Sequence, residues 1–241
     1  MFQEITLDQI ESATRIVYAV MQPTPQYCWP LLCESLGTEV WVKHENQTPI
    51  GSFKIRGGLV YFDHLAKSSE KPKSVVSATK GNHGQSIGFA ASRYGIPATI
   101  VVPHGNSIEK NNAMRSLGVK LLEHGDDFQS AREFAIKMAH ENSLKMIPSF
   151  DPQLVTGVAT YSLELLKSVK DLDVAYVPIG LGSGICGMLA VRDALKLKTK
   201  IVGVVSAHAS SYAESFTSRL PVESPVNTKI ADGMACRVPE K

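Results

Sequence analysis

Hydrophobic positions change their period along this chain, and the changes mark its elements. Over residues 7–20, Leu7, Ile10, Ala13, Ile16, Val17 and Val20 recur at the spacing of one helical face, with Thr6 placed to cap it. Pro23 and Pro25 then impose an extended passage. A short strand is predicted at 39–43, a helix at 57–67, and a polar linker, SSEKPK, after it. From there short apolar runs alternate with helical periods. Strands are predicted at 74–78, 98–102, 119–122, 146–150, 174–179 and 201–206, and helices at 85–94, 107–117, 128–142, 157–169 and 185–197. Strands so short and apolar, alternating with helices, imply parallel sheets covered on both faces. Right-handed crossovers gather the strand-to-helix turns at one edge, where α/β proteins bind ligands.

Composition narrows the class. With 241 residues, 44% hydrophobic and 20% charged, the chain can bury one large core or two modest ones. A net charge of +2 with scattered lysines provides no footprint for nucleic acid. No apolar run reaches bilayer length, and the first residues carry no signal-peptide pattern, so a cytoplasmic protein without a membrane partner is expected. The cysteines, at 28, 33, 186 and 236, form no C-x-x-C pair and no metal spacing, which argues against a disulfide framework and fits a reducing compartment.

Three turns carry the chemistry. Gly51-Ser52-Phe53-Lys54-Ile55-Arg56-Gly57 fixes a lysine between apolar neighbours; desolvation there would lower its pKa and free a nucleophilic amine. A solvent-facing loop lysine is the plainer alternative. Ser77-Ala78-Thr79-Lys80-Gly81-Asn82-His83-Gly84-Gln85 follows a buried strand and opens a helix, offering N–H groups, a hydroxyl and an amide to an oxygen anion. An ordinary capping turn with a packed structural histidine fits the same residues. Gly180-Leu181-Gly182-Ser183-Gly184 has the same strand–turn–helix setting and suits phosphate, although a tight turn needing positive φ would use similar residues. A dinucleotide site fits poorly, since the glycine spacing is short and no acidic residue follows at the ribose-binding distance. A reactive lysine, an oxygen-binding loop and a phosphate loop together describe a pocket for pyridoxal 5′-phosphate.

In these motifs the chain resembles the serine/threonine dehydratase family of fold type II, tryptophan-synthase-β-like pyridoxal-phosphate enzymes, which includes serine racemase. The resemblance runs from Thr24-Pro25 through Lys43-His44-Glu45-Asn46-Gln47 and the three turns to Ala231-Asp232-Gly233. It implies an α/β architecture of two three-layer αβα domains with mostly parallel sheets, C-terminally short. The large domain would comprise 1–73 and 150–241, and an inserted small domain 74–149. By the same resemblance Lys54 is the Schiff-base lysine and general base, Phe53 packs beside the cofactor ring, and Asn82 meets its 3′-oxygen. Gly180, Leu181, Gly182, Ser183 and Gly184 hold the phosphate, and Gly233 lines the pocket opposite. Thr79, Asn82 and His83 gather the substrate carboxylate, with Lys80 attracting carboxylates from the loop and Arg132 a further candidate.

The implied activity is a dehydratase, or ammonia-lyase, that turns L-threonine or L-serine into a 2-oxo acid and ammonia, working as a homodimer on a small amino acid. Serine racemase, 3-hydroxyaspartate dehydratase and a non-catalytic pyridoxal-phosphate-binding remnant are the alternatives. The chain departs from the family pattern in four places. Leu181 and Ser183 interrupt what is usually a run of glycines, and Lys80 stands where serine racemase has a serine. Ser206 falls where many relatives place an acidic metal ligand, so no metal site is expected. The sequence stops at Lys241, before the family's partner for the pyridine nitrogen, which implies a fragment, a pocket completed by another chain, or an incomplete cofactor site.

Overall fold

A computed structural model describes residues 5–228 and 230–239. Helix α1 (Leu7–Tyr18) begins at a capping box, in which Thr6 Oγ1 accepts from the Gln9 N–H and Gln9 Oε1 accepts from the Thr6 N–H at 2.9 Å. An antiparallel ribbon of β1 (Gln26–Cys28) and β2 (Trp41–Lys43) then flanks a short helix, α2 (Pro30–Leu36). Neither β1 nor α2 was expected: three residues are too few to show alternation, and α2 has no buried face to create a period.

Helix α3 (Lys54–Lys67) leads into a four-stranded parallel sheet, ordered β5-β4-β3-β6. Its strands are β3 (Val75–Ala78), β4 (Ala98–Val102), β5 (Lys120–Glu123) and β6 (Lys145–Met146), with α4 (Asn82–Arg93), α5 (Ile108–Ser116) and α6 (Phe128–Glu141) between them. Alternate β3 and β4 side chains serve opposite cores. Val75, Ile100 and Val102 pack with Ile87, Ala90 and Ala91 of α4, while Val76, Ala78 and Val101 pack with Ala131 and Ala135 of α6. This sheet is therefore clad on both faces. All four residues of β3 are buried, as a central parallel strand requires.

Helix α7 (Pro152–Ser168) returns against α3. Glycines let the two helices touch at backbone distance: a Cβ on Gly157 would lie 2.4 Å from the Arg56 carbonyl oxygen, and one on Gly57 would lie 2.7 Å from that of Leu154. Then β7 (Val174–Pro178), α8 (Ser183–Ala194) and β8 (Lys200–Val204) form a parallel pair packed on α7 and α8 through Ala175 and Val177. The outward face of β7 is open among the described residues, with Tyr176 72% exposed. Helix α9 (Ser211–Ser218) and a 3₁₀ turn at Asp232–Met234 complete the fold, a mixed α/β arrangement with mainly parallel sheets, as the apolar pattern implied.

Candidate active site

Lys54 is the first residue of α3, not a loop residue, because the turn closes one residue before it. Thr48 Oγ1 donates to the Ser52 carbonyl and accepts from the Ser52 N–H, each at 2.9 Å. From α4, Ser86 Oγ donates to the Lys54 carbonyl at 2.6 Å. The lysine backbone is thus gripped from two sides. Its amine is enclosed, and burial lowers its pKa from 10.5 to about 8 with no charged group contributing. Nζ stands 5.6 Å from the centre of the Phe53 ring, which packs against Tyr161 at 5.8 Å between centroids. Burial pushes the Tyr161 phenol upward, so it stays protonated and donates to the Gly184 carbonyl at 3.4 Å.

Two residues on, Arg56 is completely buried and fully paired. It donates to Glu45 Oε2 at 2.8 Å, to Glu164 Oε1 at 2.6 Å and Oε2 at 3.0 Å, and to Thr160 Oγ1 at 3.0 Å. Lys43 Nζ joins Glu164 at 2.6 Å and the Thr24 carbonyl at 2.8 Å, while Thr24 Oγ1 donates to Glu45 Oε1 at 2.6 Å. Burial opposes the charge on Arg56, but the two carboxylates outweigh it and raise its pKa. Burial likewise opposes Glu164, whose pKa Arg56 and Lys43 pull down. Sequence reading missed this network as a unit, although Lys43, Glu45 and Arg56 all lie within quoted motifs. Glu164 sits mid-helix in α7 with no local signal.

The second turn lies beside the lysine. Thr79, just beyond β3, is buried, and its Oγ1 accepts from the Gly81 N–H at 3.1 Å. Lys80 and Asn82 are exposed, Asn82 opening α4. Gly84 has no room for a side chain: a Cβ there would lie 2.4 Å from Met114 Sδ and 2.6 Å from Thr79 Cγ2. His83 is buried, and burial, helped by the nearby charge of Lys54, lowers its pKa from 6.5 to about 3. The imidazole is therefore neutral. The Pro148 carbonyl takes its one N–H, and the buried Nε2 has no partner, which leaves a lone pair free beside the amine.

The third turn joins β7 to α8. Gly182, at φ +99°, takes a conformation that favours glycine, and Ser183 and Gly184 are buried at the start of the helix. Tyr212 donates to the Leu181 carbonyl at 3.1 Å. Gly180 lies against Gly233, whose carbonyl oxygen would be 2.4 Å from a Cβ on Gly180. Lys110 of α5 lies across Gly81 and forms an ion pair with Asp232, linking the second turn to the same C-terminal segment. Arg132 is exposed on α6 and makes no hydrogen bond or ion pair with these turns among the described residues.

Thr6, Ser107, Asp127 and Asp151 cap α1, α5, α6 and α7 with side-chain oxygens. At α4 and α8, which begin at the second and third turns, no side chain caps the first turn; α2 and α9 also lack a side-chain cap, and at α3 Ser52 Oγ accepts from the Lys54 N–H at 3.3 Å. At α4 and α8 the first N–H groups and positive ends face the turns, where an anion is the natural guest.

The sequence profile of the family described as pyridoxal-phosphate dependent enzymes matches residues 18–241. The chain belongs to that family. It is similar to an L-threonine ammonia-lyase of Thermotoga maritima, with 32% identity over 98% of this chain and 59% of the relative. In three dimensions it is similar to the processed form of threonine deaminase isoform 2 from Solanum lycopersicum, with TM-score 0.86 and 28% identity over 99% of this chain and 71% of that one. It is also similar to maize serine racemase, with TM-score 0.91 and 25% identity over 98% of this chain and 72% of that one. The chain spans 59% and 43% of the lengths of two curated relatives it matches.

The residues present fit the family's cofactor. Its aldehyde requires an amine that is not locked in an ion pair, and Lys54 supplies one. Its phosphate requires unsatisfied N–H donors at a close-approach turn, and residues 180–184 supply those without a competing side-chain cap.

Proposed function

We propose that this chain carries the pyridoxal-phosphate site of an ammonia-lyase that eliminates water from L-threonine or L-serine to give a 2-oxo acid and ammonia. The observation that carries this reading is the unpaired amine of Lys54, with a pKa near 8, beside helix starts that no side chain caps. Similarity to a threonine ammonia-lyase and a threonine deaminase supplies the substrate class.

When bound, pyridoxal phosphate provides the electron sink for the pair left on the substrate Cα. The chain's own residues would do the rest. Lys54 Nζ would anchor the cofactor aldehyde and, once released by the incoming amino acid, take the Cα proton. Near pH 8 a large fraction of the amine is uncharged, which a base of this kind needs. Backbone N–H groups of 180–184 would hold the phosphate, Phe53 would flank the ring and Gly233 would close the opposite wall. Asn82 would meet the ring oxygen. The substrate carboxylate would lie at the start of α4, against Thr79 and Asn82, with Lys80 and Arg132 contributing charge from the rim. His83 would play a different part from the one expected. A neutral ring with an open Nε2 lone pair repels a carboxylate and suits a donor such as the substrate hydroxyl or the lysine N–H. Loss of the β-hydroxyl as water leaves an enamine, whose hydrolysis gives the oxo acid and ammonia.

In this reading 1–73 and 150–241 form a large domain around an inserted unit, 74–149. The four-stranded sheet, whose strands all fall within 75–146, supports that division. A homodimer and a cytoplasmic setting belong to the same proposal, and size-exclusion chromatography with light scattering checks the first.

Turnover decides the reading. With pyridoxal phosphate and L-threonine, the protein should release 2-oxobutanoate and ammonia in equal amounts. A lysine-linked cofactor band without oxo acid from either hydroxy amino acid would rule out dehydration. Recovery of D-serine from L-serine in that case would support the racemase reading instead, with which the likeness to maize serine racemase is compatible.

A further inference from the structure

The ribbon at the N-terminal edge brings together two sulfurs that spacing alone leaves unrelated. Cys28 ends β1 and Cys33 lies in α2, with their Sγ atoms 3.5 Å apart. The local backbone fixes this approach: the Trp29 N–H donates to the Val40 carbonyl at 3.1 Å, and the Cys33 N–H donates to the Trp29 carbonyl at 2.9 Å. The Val40 N–H also points at Cys33 Sγ, at 3.2 Å. Both cysteines are half-buried, within reach of a small reagent.

The two sulfurs are not equivalent. The Cys28 thiol is pushed up, first of all by its hydrogen bond with Cys33. Cys33 Sγ is the one met by the backbone donor at Val40, which makes it the sulfur placed to attack first. A disulfide is about 2.05 Å long, so closure needs roughly 1.5 Å of approach. Helix α2 can supply it, because none of its side chains is buried and Leu31 is 79% exposed.

We propose that Cys28 and Cys33 form a dithiol modification site, oxidised by small-molecule disulfides to an intramolecular disulfide. The Cys33 thiolate attacks one sulfur of the reagent and displaces its first thiolate. Cys28 then gives up its proton and attacks the Cys33 sulfur of the mixed disulfide, displacing the second. Two protein thiols and one small disulfide become one protein disulfide and two small thiols, with no other oxidant. Cys186 and Cys236 take no part. The thiol of Cys186 is held up by burial, and Cys236 donates to the Val238 carbonyl at 3.1 Å.

The test equilibrates the whole protein with oxidised glutathione, then alkylates and maps it by mass spectrometry. Free thiols counted after unfolding should fall from four to two. The mass should drop by two hydrogens with no retained glutathione, and Cys28 and Cys33 should be joined in one cross-linked peptide. Amide exchange across 30–36 should slow in the oxidised form. Cys28→Ser should stop at the first step, with one glutathione held on Cys33, and Cys33→Ser should take up none at Cys28 on the same timescale. Four thiols left in the wild type, a stable glutathione adduct on Cys33, or a bridge to Cys186 or to a second molecule would each overturn the proposal.

Discussion

Lys54 and Arg56 stand two residues apart in the first turn of α3, and burial has opposite consequences for them. Arg56 enters the interior with two carboxylates and two hydroxyls waiting, and its charge is retained. Lys54 enters with none, and its charge is discouraged. Taking an ion out of water costs several kcal/mol unless partners replace the lost hydration. One cation is therefore a fixed strut and the other a latent neutral amine. The strut serves the amine: Arg56 ties α3 to Glu45 after β2 and to Glu164 of α7, which sets where the first turn, and with it Lys54, must lie.

The largest expected effect breaks the contrast from the lysine side. Lys54→Ala should lower dehydratase turnover by about 10³-fold or more, since it removes both the anchor for the cofactor and the base. Thermal stability of the cofactor-free protein should not fall, because no pair is broken. A variant that kept a tenth of wild-type kcat would refute the role of this amine.

From the arginine side the effects should reverse. Arg56→Met leaves Glu45 and Glu164 facing each other in the interior and should cost about 3–5 kcal/mol in urea unfolding. Adding Glu45→Gln and Glu164→Gln should restore a good part of that loss, because the repelling charges go. An Arg56→Met protein as stable as the wild type would mean that the network is ornamental.

How much of this was legible in the sequence follows the same physics. Strongly periodic elements were readable: β4 falls at 98–102 as expected, and α1 and α6 end within two residues of their expected limits. The three turns were readable because glycine, proline and capping residues act locally. Helix starts at the first two turns were placed late, Lys54 for 57 and Asn82 for 85, because neither Phe53 nor Gly81 at the cap position offers a capping side chain. Long-range pairing was not legible. Nothing near Glu164 announces Arg56, 108 residues away in sequence. The neutrality of His83 also depends on burial and then on the charge of Lys54, which no sequence neighbour announces, while the Pro148 carbonyl works against it.

The smallest effect probes what an unpaired charge does to its surroundings. Lys54 has a folded pKa near 8 against 10.5 when unfolded, so between these values the unfolded chain binds more protons. Stability should then rise with pH across that window, and the rise should be missing in Lys54→Met. On the acid side His83 drops from 6.5 to about 3, so its share of stability is intact above 6.5 and lost as pH falls toward 3. The charge of Lys54 contributes to that depression, behind burial. In the cofactor-free protein, Lys54→Met should therefore move the His83 titration upward by a fraction of a unit while leaving it below 6.5. Imidazole NMR from pH 6.5 downward reads this directly. An unchanged midpoint would mean that the amine does not face the ring, and a midpoint at 6.5 would mean that burial is not the larger cause.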